Sequence, residues 1–210
     1  MTDHDADLID TVRLSLVDGV GPRIRRRLLD RFGDPATVLA AAPSELREVE
    51  GVGPKVAERI LRAGEEIDAE AEIALCRSHG IAILTETRAE YPRALREIPD
   101  PPGLLFVRGT LKPADALAIG IVGTRHGTAY GLRQAERLAA SLSRAGLTII
   151  SGLARGIDAA AHRGALEAGG RTLGILASGV MNIIRLFCNI LAEIYKSLHS
   201  NDLRNPMVSP

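Results

Sequence analysis

"IVGTRHGTAYG", residues 121–131, decides how the chain is read. Its first residues close the apolar run "ALAIGIVG" (116–123), the kind of run that forms a strand buried on both faces. Two glycines, an arginine, a histidine and two threonines follow at once, and then an amphipathic helical stretch over about 129–145. Thr128 is placed to cap that helix with its hydroxyl. Further along, "LTIISG" (147–152) and "RTLGILAS" (171–178) bracket a second helical stretch over 157–168. Strand, helix, strand, helix, strand predicts a parallel sheet with right-handed crossovers, an α/β fold of the Rossmann-like kind. Ligands of such sheets sit beyond the carboxyl ends of the strands. Two loops leave that edge here, the opening stretch and "SGLARGIDAAAH" (151–162).

The residues of both loops suit a phosphate-bearing anion. In the first, Gly123 lets backbone approach a ligand, Thr124 offers a hydroxyl and Arg125 a planar cation with five donors. His126 is set to be exposed beside them. In the second, Ser151 and Gly152 end a strand and offer further donors, and Arg155 is an auxiliary cation. Gly156 then precedes a helix whose first turn contains Asp158. Amides and a guanidinium at helix N-termini attract phosphate oxygen. The dinucleotide fingerprint G-x-G-x-x-G is not met, because Gly123 and Gly127 are four apart, and G-x-x-x-x-G-K-[ST] is absent; no cofactor is expected. Asp158 favours the helix dipole where it stands, and His162 falls where packing or a hydrogen bond is its ordinary role. They are also the two candidates for an acid or base. An enzyme acting on nucleotides or nucleoside phosphates is therefore the alternative, although no catalytic residue is expected.

Outward toward the N-terminus, residues 1–65 contain one pattern twice. "LVDGVGPRIRRRLL" (16–29) returns as "EVEGVGPKVAERIL" (48–61). Gly19, Gly21 and Pro22 recur as Gly51, Gly53 and Pro54, each G-V-G-P opening a helix with apolar residues at helical spacing. The pattern resembles the tandem helix–hairpin–helix. That resemblance implies sequence-independent contact with DNA backbone through amides near Gly19, Gly21, Gly51 and Gly53, helped by Arg23, Arg25 or Lys55. A module that docks a protein is the competing reading, since acidic residues crowd the second copy. "RAGEEIDAEAEIALCRSHG" (62–80) is expected to be one charged helix ending at Gly80, its part over 66–80 linking this domain to one over 81–183, with a divergent tail over 184–210.

Charge supports a split character. Net formal charge is zero, yet residues 1–70 hold 10 Lys/Arg against 15 Asp/Glu, and residues 71–210 hold 16 against 11. Aromatic residues are 3% of the chain, so stacking of bases on an aromatic platform has little to draw on. Cys76 and Cys188 lack metal-ligand spacing and read as reduced thiols; no metal is expected. No apolar run reaches membrane-spanning length, and the acidic start is no signal peptide. These features predict a cytoplasmic protein with no membrane contact.

"IVGTRHGTAYG" followed by "SGLARGIDAAAH", with the approach "YPRALREIPDPPGLLFVRGTL" (91–111), resembles the DNA processing protein A family, also called DprA or Smf. The resemblance implies a non-enzymatic protein that binds incoming single-stranded DNA and hands it to the RecA recombinase during natural transformation. It leaves a homodimer open. It assigns Gly123, Thr124, Arg125, Ser151, Gly152, Arg155 and Gly156 to the DNA groove, with Arg125 pairing with phosphate. After "LASGVMNI" the family's Tyr-Pro and basic F-P-x-R-N-R segments do not follow, which predicts truncation and impaired activity. An amphipathic helix is expected over 184–198.

Overall fold

The computed structural model describes residues 3–176; the expected helix over 184–198 and Cys188 lie outside the described residues. The chain divides into two compact units between Leu111 and Lys112.

The first unit begins with α1 (Asp3–Leu16), α2 (Pro22–Phe32), α3 (Pro35–Ala40), α4 (Pro43–Leu46) and α5 (Pro54–Glu66). The sequence repeat is a structural repeat. Gly21 and Gly53 cap α2 and α5 in matching extended conformations (φ −76, ψ 174 and φ −80, ψ 173), with proline next in both helices. Positions related by the repeat share one core: Leu14 with Leu46, Val17 with Val49, Val20 with Val52 and Leu28 with Ile60 are all buried. The hairpin turns need glycine, with φ 93 at Gly19 and φ 94 at Gly51, where other residues are strained. The two copies also clasp each other. Arg27 of α2 donates to the Glu50 carbonyl at 2.9 Å, and Arg59 of α5 donates to the Asp18 carbonyl at 3.1 Å. Each arginine pairs with the carboxylate of the same residue.

The stretch 62–80 is not one charged helix. It breaks at Ile67, and Asp68 starts α6 (Ala69–Ser78) by accepting the Ala71 N–H at 2.9 Å. Ala69, Ile73 and Cys76, spaced along one helix face, are buried, and the first two share a small core with Val12 of α1. Ile83 and Leu104 close that core from β1 (Ile81–Thr85) and β2 (Leu104–Arg108), which pair antiparallel. This pair belongs to the first unit and is separate from the parallel sheet of the second. The loop between them carries α7 (Arg93–Arg96) and is pinned by buried Tyr91, whose hydroxyl donates to the Pro102 carbonyl at 2.6 Å.

The second unit is the expected α/β arrangement. A 3-10 turn over Pro113–Ala116 leads to β3 (Ala118–Gly120), α8 (Ala129–Arg144), β4 (Thr148–Ser151), α9 (Ile157–Glu167) and β5 (Thr172–Gly174). The strands are parallel in the order β3-β4-β5. Ile149 of the central strand is buried with Ala139 of α8 and Ala161 and Ala165 of α9. Small residues there let the two helices come close. Val122 and Ile175, just past β3 and β5, stay exposed.

The opposite end of this sheet is locked by charge. The Asp115 carboxylate accepts from both Nε and Nη2 of Arg171, from Thr148 Oγ1 at 3.1 Å and from the Lys112 N–H at 2.7 Å. The Arg171 hydrogen bonds are the main cause that holds Asp115 down at about 2. A lowered folded-state value stabilises above the ordinary carboxylate range and is lost as pH falls through it. Asp115→Asn is expected to lose about 2 kcal/mol of stability at neutral pH. The difference from the native chain should shrink between roughly pH 4 and pH 2. Urea unfolding at a series of pH values checks this; a constant difference down to pH 2 would refute it.

Candidate nucleic-acid interface

The two loops at the carboxyl ends of β3 and β4 form one structure. The Ile157 N–H donates to the Thr124 carbonyl at 3.2 Å, joining the start of α9 to the first loop. Asp158 is buried and ties both loops together: Oδ1 accepts from the Gly123 N–H at 3.3 Å and Oδ2 from the Ala154 N–H at 3.4 Å. Its helix-dipole role is thus accompanied by a clamp that sequence spacing gave no sign of, because the partners lie 35 and 4 residues away.

The glycines serve that junction. Gly156 has φ 86, and a Cβ there would sit 2.2 Å from the Thr124 carbonyl oxygen. At Gly123 a Cβ would sit 2.7 Å from Ile157 Cγ1, and at Gly152 it would sit 2.9 Å from Asp158 Oδ2. The lack of a side chain at Gly123 thus makes room for Ile157 of the second loop, while Gly123 itself stays exposed. Leu153, between them, has φ 54 and is buried, its side chain filling the space a Cβ on Gly174 would take. Left-handed backbone at such a residue costs about 1–2 kcal/mol, so packing holds this loop against its local preference.

The placement of the other expected residues is mixed. Ser151 is buried and its hydroxyl donates to the Ile121 carbonyl at 2.6 Å, so that hydroxyl pins β4 to the start of the first loop and is not presented outward. Thr128 caps α8 as expected, accepting the Gly131 N–H at 3.1 Å. Thr124 is exposed, and its hydroxyl oxygen accepts the His126 N–H at 3.1 Å, which leaves its proton to donate. Arg125, His126 and Arg155 are all exposed, and neither arginine has a hydrogen-bond or ion-pair partner among the described residues. His162 is buried. Thr172 Oγ1 gives its proton to the Ile149 carbonyl at 2.8 Å, so His162 Nδ1 must donate to Thr172 at 2.7 Å. Burial pushes its pKa down, with the Asp158 charge opposing. It joins α9 to β5 beneath the loops.

In the helical unit, Gly19, Gly21, Gly51 and Gly53 are exposed, and a Cβ on Gly21 or Gly53 would meet nothing within 4 Å. Arg23 and Lys55 are exposed beside them. Arg25, expected to help there, is instead buried and paired with Glu86 at 3.2 Å. No group of three or more His, Cys, Asp or Glu able to hold a metal is found among the described residues. No helix among them is long and apolar enough to cross a membrane.

The model of one protein family, DNA recombination-mediator protein A, matches residues 82–198. The chain belongs to that family. A SAM-like helix-hairpin-helix tandem matches residues 12–64, in agreement with the repeat. Among relatives, the chain is 37% identical over 188 residues to protein Smf of Synechocystis, covering 85% of this chain and 47% of that protein. It is 40% identical over 112 residues to DNA processing protein DprA of Bacillus subtilis, covering 53% of this chain and 38% of that one. The X-ray structure of DNA processing protein A from Streptococcus pneumoniae superposes with a TM-score of 0.60 at 26% identity, covering 90% of this chain and 64% of that one. The chain thus spans about half the length, or less, of the curated DprA and Smf relatives it matches.

Proposed function

We propose that the chain binds single-stranded DNA without turning it over, gripping phosphates with Arg125, Thr124 and the amides of the two joined loops. The observation that carries this reading is that Arg125 and Arg155 stand exposed, without partners among the described residues, on a junction where Gly123, Gly152 and Gly156 are fixed by close packing. The packing fixes the backbone that carries these cations, so only side-chain freedom is lost when they pair with phosphate. Gly123, Gly152 and Gly156 contribute by shaping the junction, and Ser151 by anchoring it. Membership of the recombination-mediator family supports a part in DNA processing during transformation, with RecA as the protein that receives the strand and self-association as a homodimer. The helix–hairpin–helix turns, with Gly21, Gly53 and Lys55 open to solvent, are a second place for backbone contact. The enzymatic alternative has less support, because Asp158 and His162 are both buried away from solvent. Asp158 holds two loop amides and His162 Nδ1 holds Thr172, although His162 Nε2 has no hydrogen-bond partner among the described residues.

Arg125→Ala tests the reading. Losing one phosphate contact is expected to weaken binding of a fluorescent oligo(dT) about tenfold at low salt and to flatten the salt slope by about 0.7. Anisotropy titrations at several salt concentrations measure both. Unchanged affinity and slope would place the site elsewhere.

A further inference from the structure

We infer that the outer face of α8 continues the DNA path, with Arg133, Arg137 and Arg144 as phosphate contacts and Tyr130 as a stacking surface for an unpaired base; this rests on the single-strand reading of the Arg125 loop. Helix α8 buries Ala135, Ala139 and Ser143. Its opposite face exposes Tyr130, Arg133, Arg137 and Arg144, at steps of three, four and seven residues that keep them on one stripe. The stripe runs about 21 Å from Tyr130 to Arg144. It holds no acidic residue: Glu136 lies on the flank and is taken up by Arg163 at 3.1 Å. None of the three arginines has a partner among the described residues.

The contrast with the first unit shows that this is not simply how the chain treats arginine. There Arg13, Arg25, Arg27, Arg31, Arg59 and Arg62 are each paired with a carboxylate. Arg23, Arg47 and Lys55 are exposed without one among the described residues, but they lie apart from one another along the chain and share no single helix face. On α8, by contrast, three arginines without a carboxylate among the described residues line up on one helix face that starts at the Arg125 loop. Tyr130 selects the strand type. It is the exposed aromatic among the described residues, at 67%, and it stands five positions after Arg125 and three before Arg133. Base–aromatic stacking needs an unpaired base, which a duplex does not present. The low aromatic content of the chain thus hid a single ring placed between two cations.

The test uses the full chain and labelled oligo(dT) of about 6 and about 20 nucleotides, lengths that bracket ordinary single-strand site sizes. The native chain should bind the longer strand more tightly. In R133A/R137A that gain with length should fall about tenfold or more, and the salt slope on the long strand should drop by about 1.4. Tyr130→Ala should weaken the long strand about tenfold while Tyr130→Phe restores it, and unlabelled duplex should compete poorly. All four positions are exposed, so circular dichroism and melting should match the native chain. If the stripe variants keep the native gain with length while Arg125→Ala still loses affinity, the stripe is overturned and the loop reading stands. If duplex competes equally, the Tyr130 assignment is overturned. If the native chain binds neither strand, both readings fall.

Discussion

Gly156→Ala is expected to lose several kcal/mol of stability in the second unit and to weaken the proposed DNA binding with it. Two independent costs combine. The backbone at Gly156 has φ 86 and ψ −130, a region that only glycine enters readily, and forcing another residue there costs about 1–3 kcal/mol. The added carbon would also sit 2.2 Å from the Thr124 carbonyl oxygen and 2.8 Å from the Arg125 carbonyl carbon. Both are backbone atoms, so no side chain can rotate away. Overpacking of this kind costs about 1–3 kcal/mol more, and relief requires the first loop to move. Moving it breaks the Ile157 N–H bond to Thr124 and carries Arg125 out of place. Denaturant unfolding and oligo(dT) affinity should therefore both suffer, with binding weakened even where the variant remains folded. A variant that folds as stably as the native chain and binds as tightly would show that the loops are not locked here.

Gly164→Ala is the complementary case. Gly164 lies in α9 with ordinary helical geometry, where alanine is the better helix former by about 1 kcal/mol. The gain is outweighed, because a Cβ would lie 2.1 Å from the Glu136 carbonyl oxygen of α8. The two helices must separate, and Ala139, Ile149, Ala161 and Ala165 lose their close packing. A net loss of about 2 kcal/mol or more is expected. Unlike Gly156, this position does not touch the loops. Under conditions where the variant is folded, its DNA affinity should stay within about twofold of native. Unfolding by urea together with titration of the folded protein separates the two outcomes. An alanine that stabilised the unit would mean that the helices approach less closely than the structure shows.

Much of this was legible in residue order, because the relevant signals are local. Aliphatic runs alternating with helical periods mark β3, α8, β4, α9 and β5. A glycine–proline pair recurring 32 residues later marks the doubled hairpin, and a threonine before a helix marks its own cap at Thr128. What residue order did not reveal depended on distant partners. Arg25 reads as one more surface cation of "RIRRRLL" until Glu86, 61 positions on, is brought beside it. The charged look of "DAEAEIALCRS" hides an apolar stripe whose cover comes from Val12. Ser151 offers a donor in sequence and gives it to Ile121 in space.

The sequence by itself determined the order and type of the elements of the second unit and the doubled hairpin of the first, since periodicity, capping and turn chemistry act over a few residues. Tertiary structure alone decided which groups remain available. Asp158, Ser151 and His162 are drawn inside by partners the chain folds onto them, while Arg125, Arg155 and the α8 arginines are left facing water. A polar group is used or left over according to what packs against it, and that is a property of the folded chain.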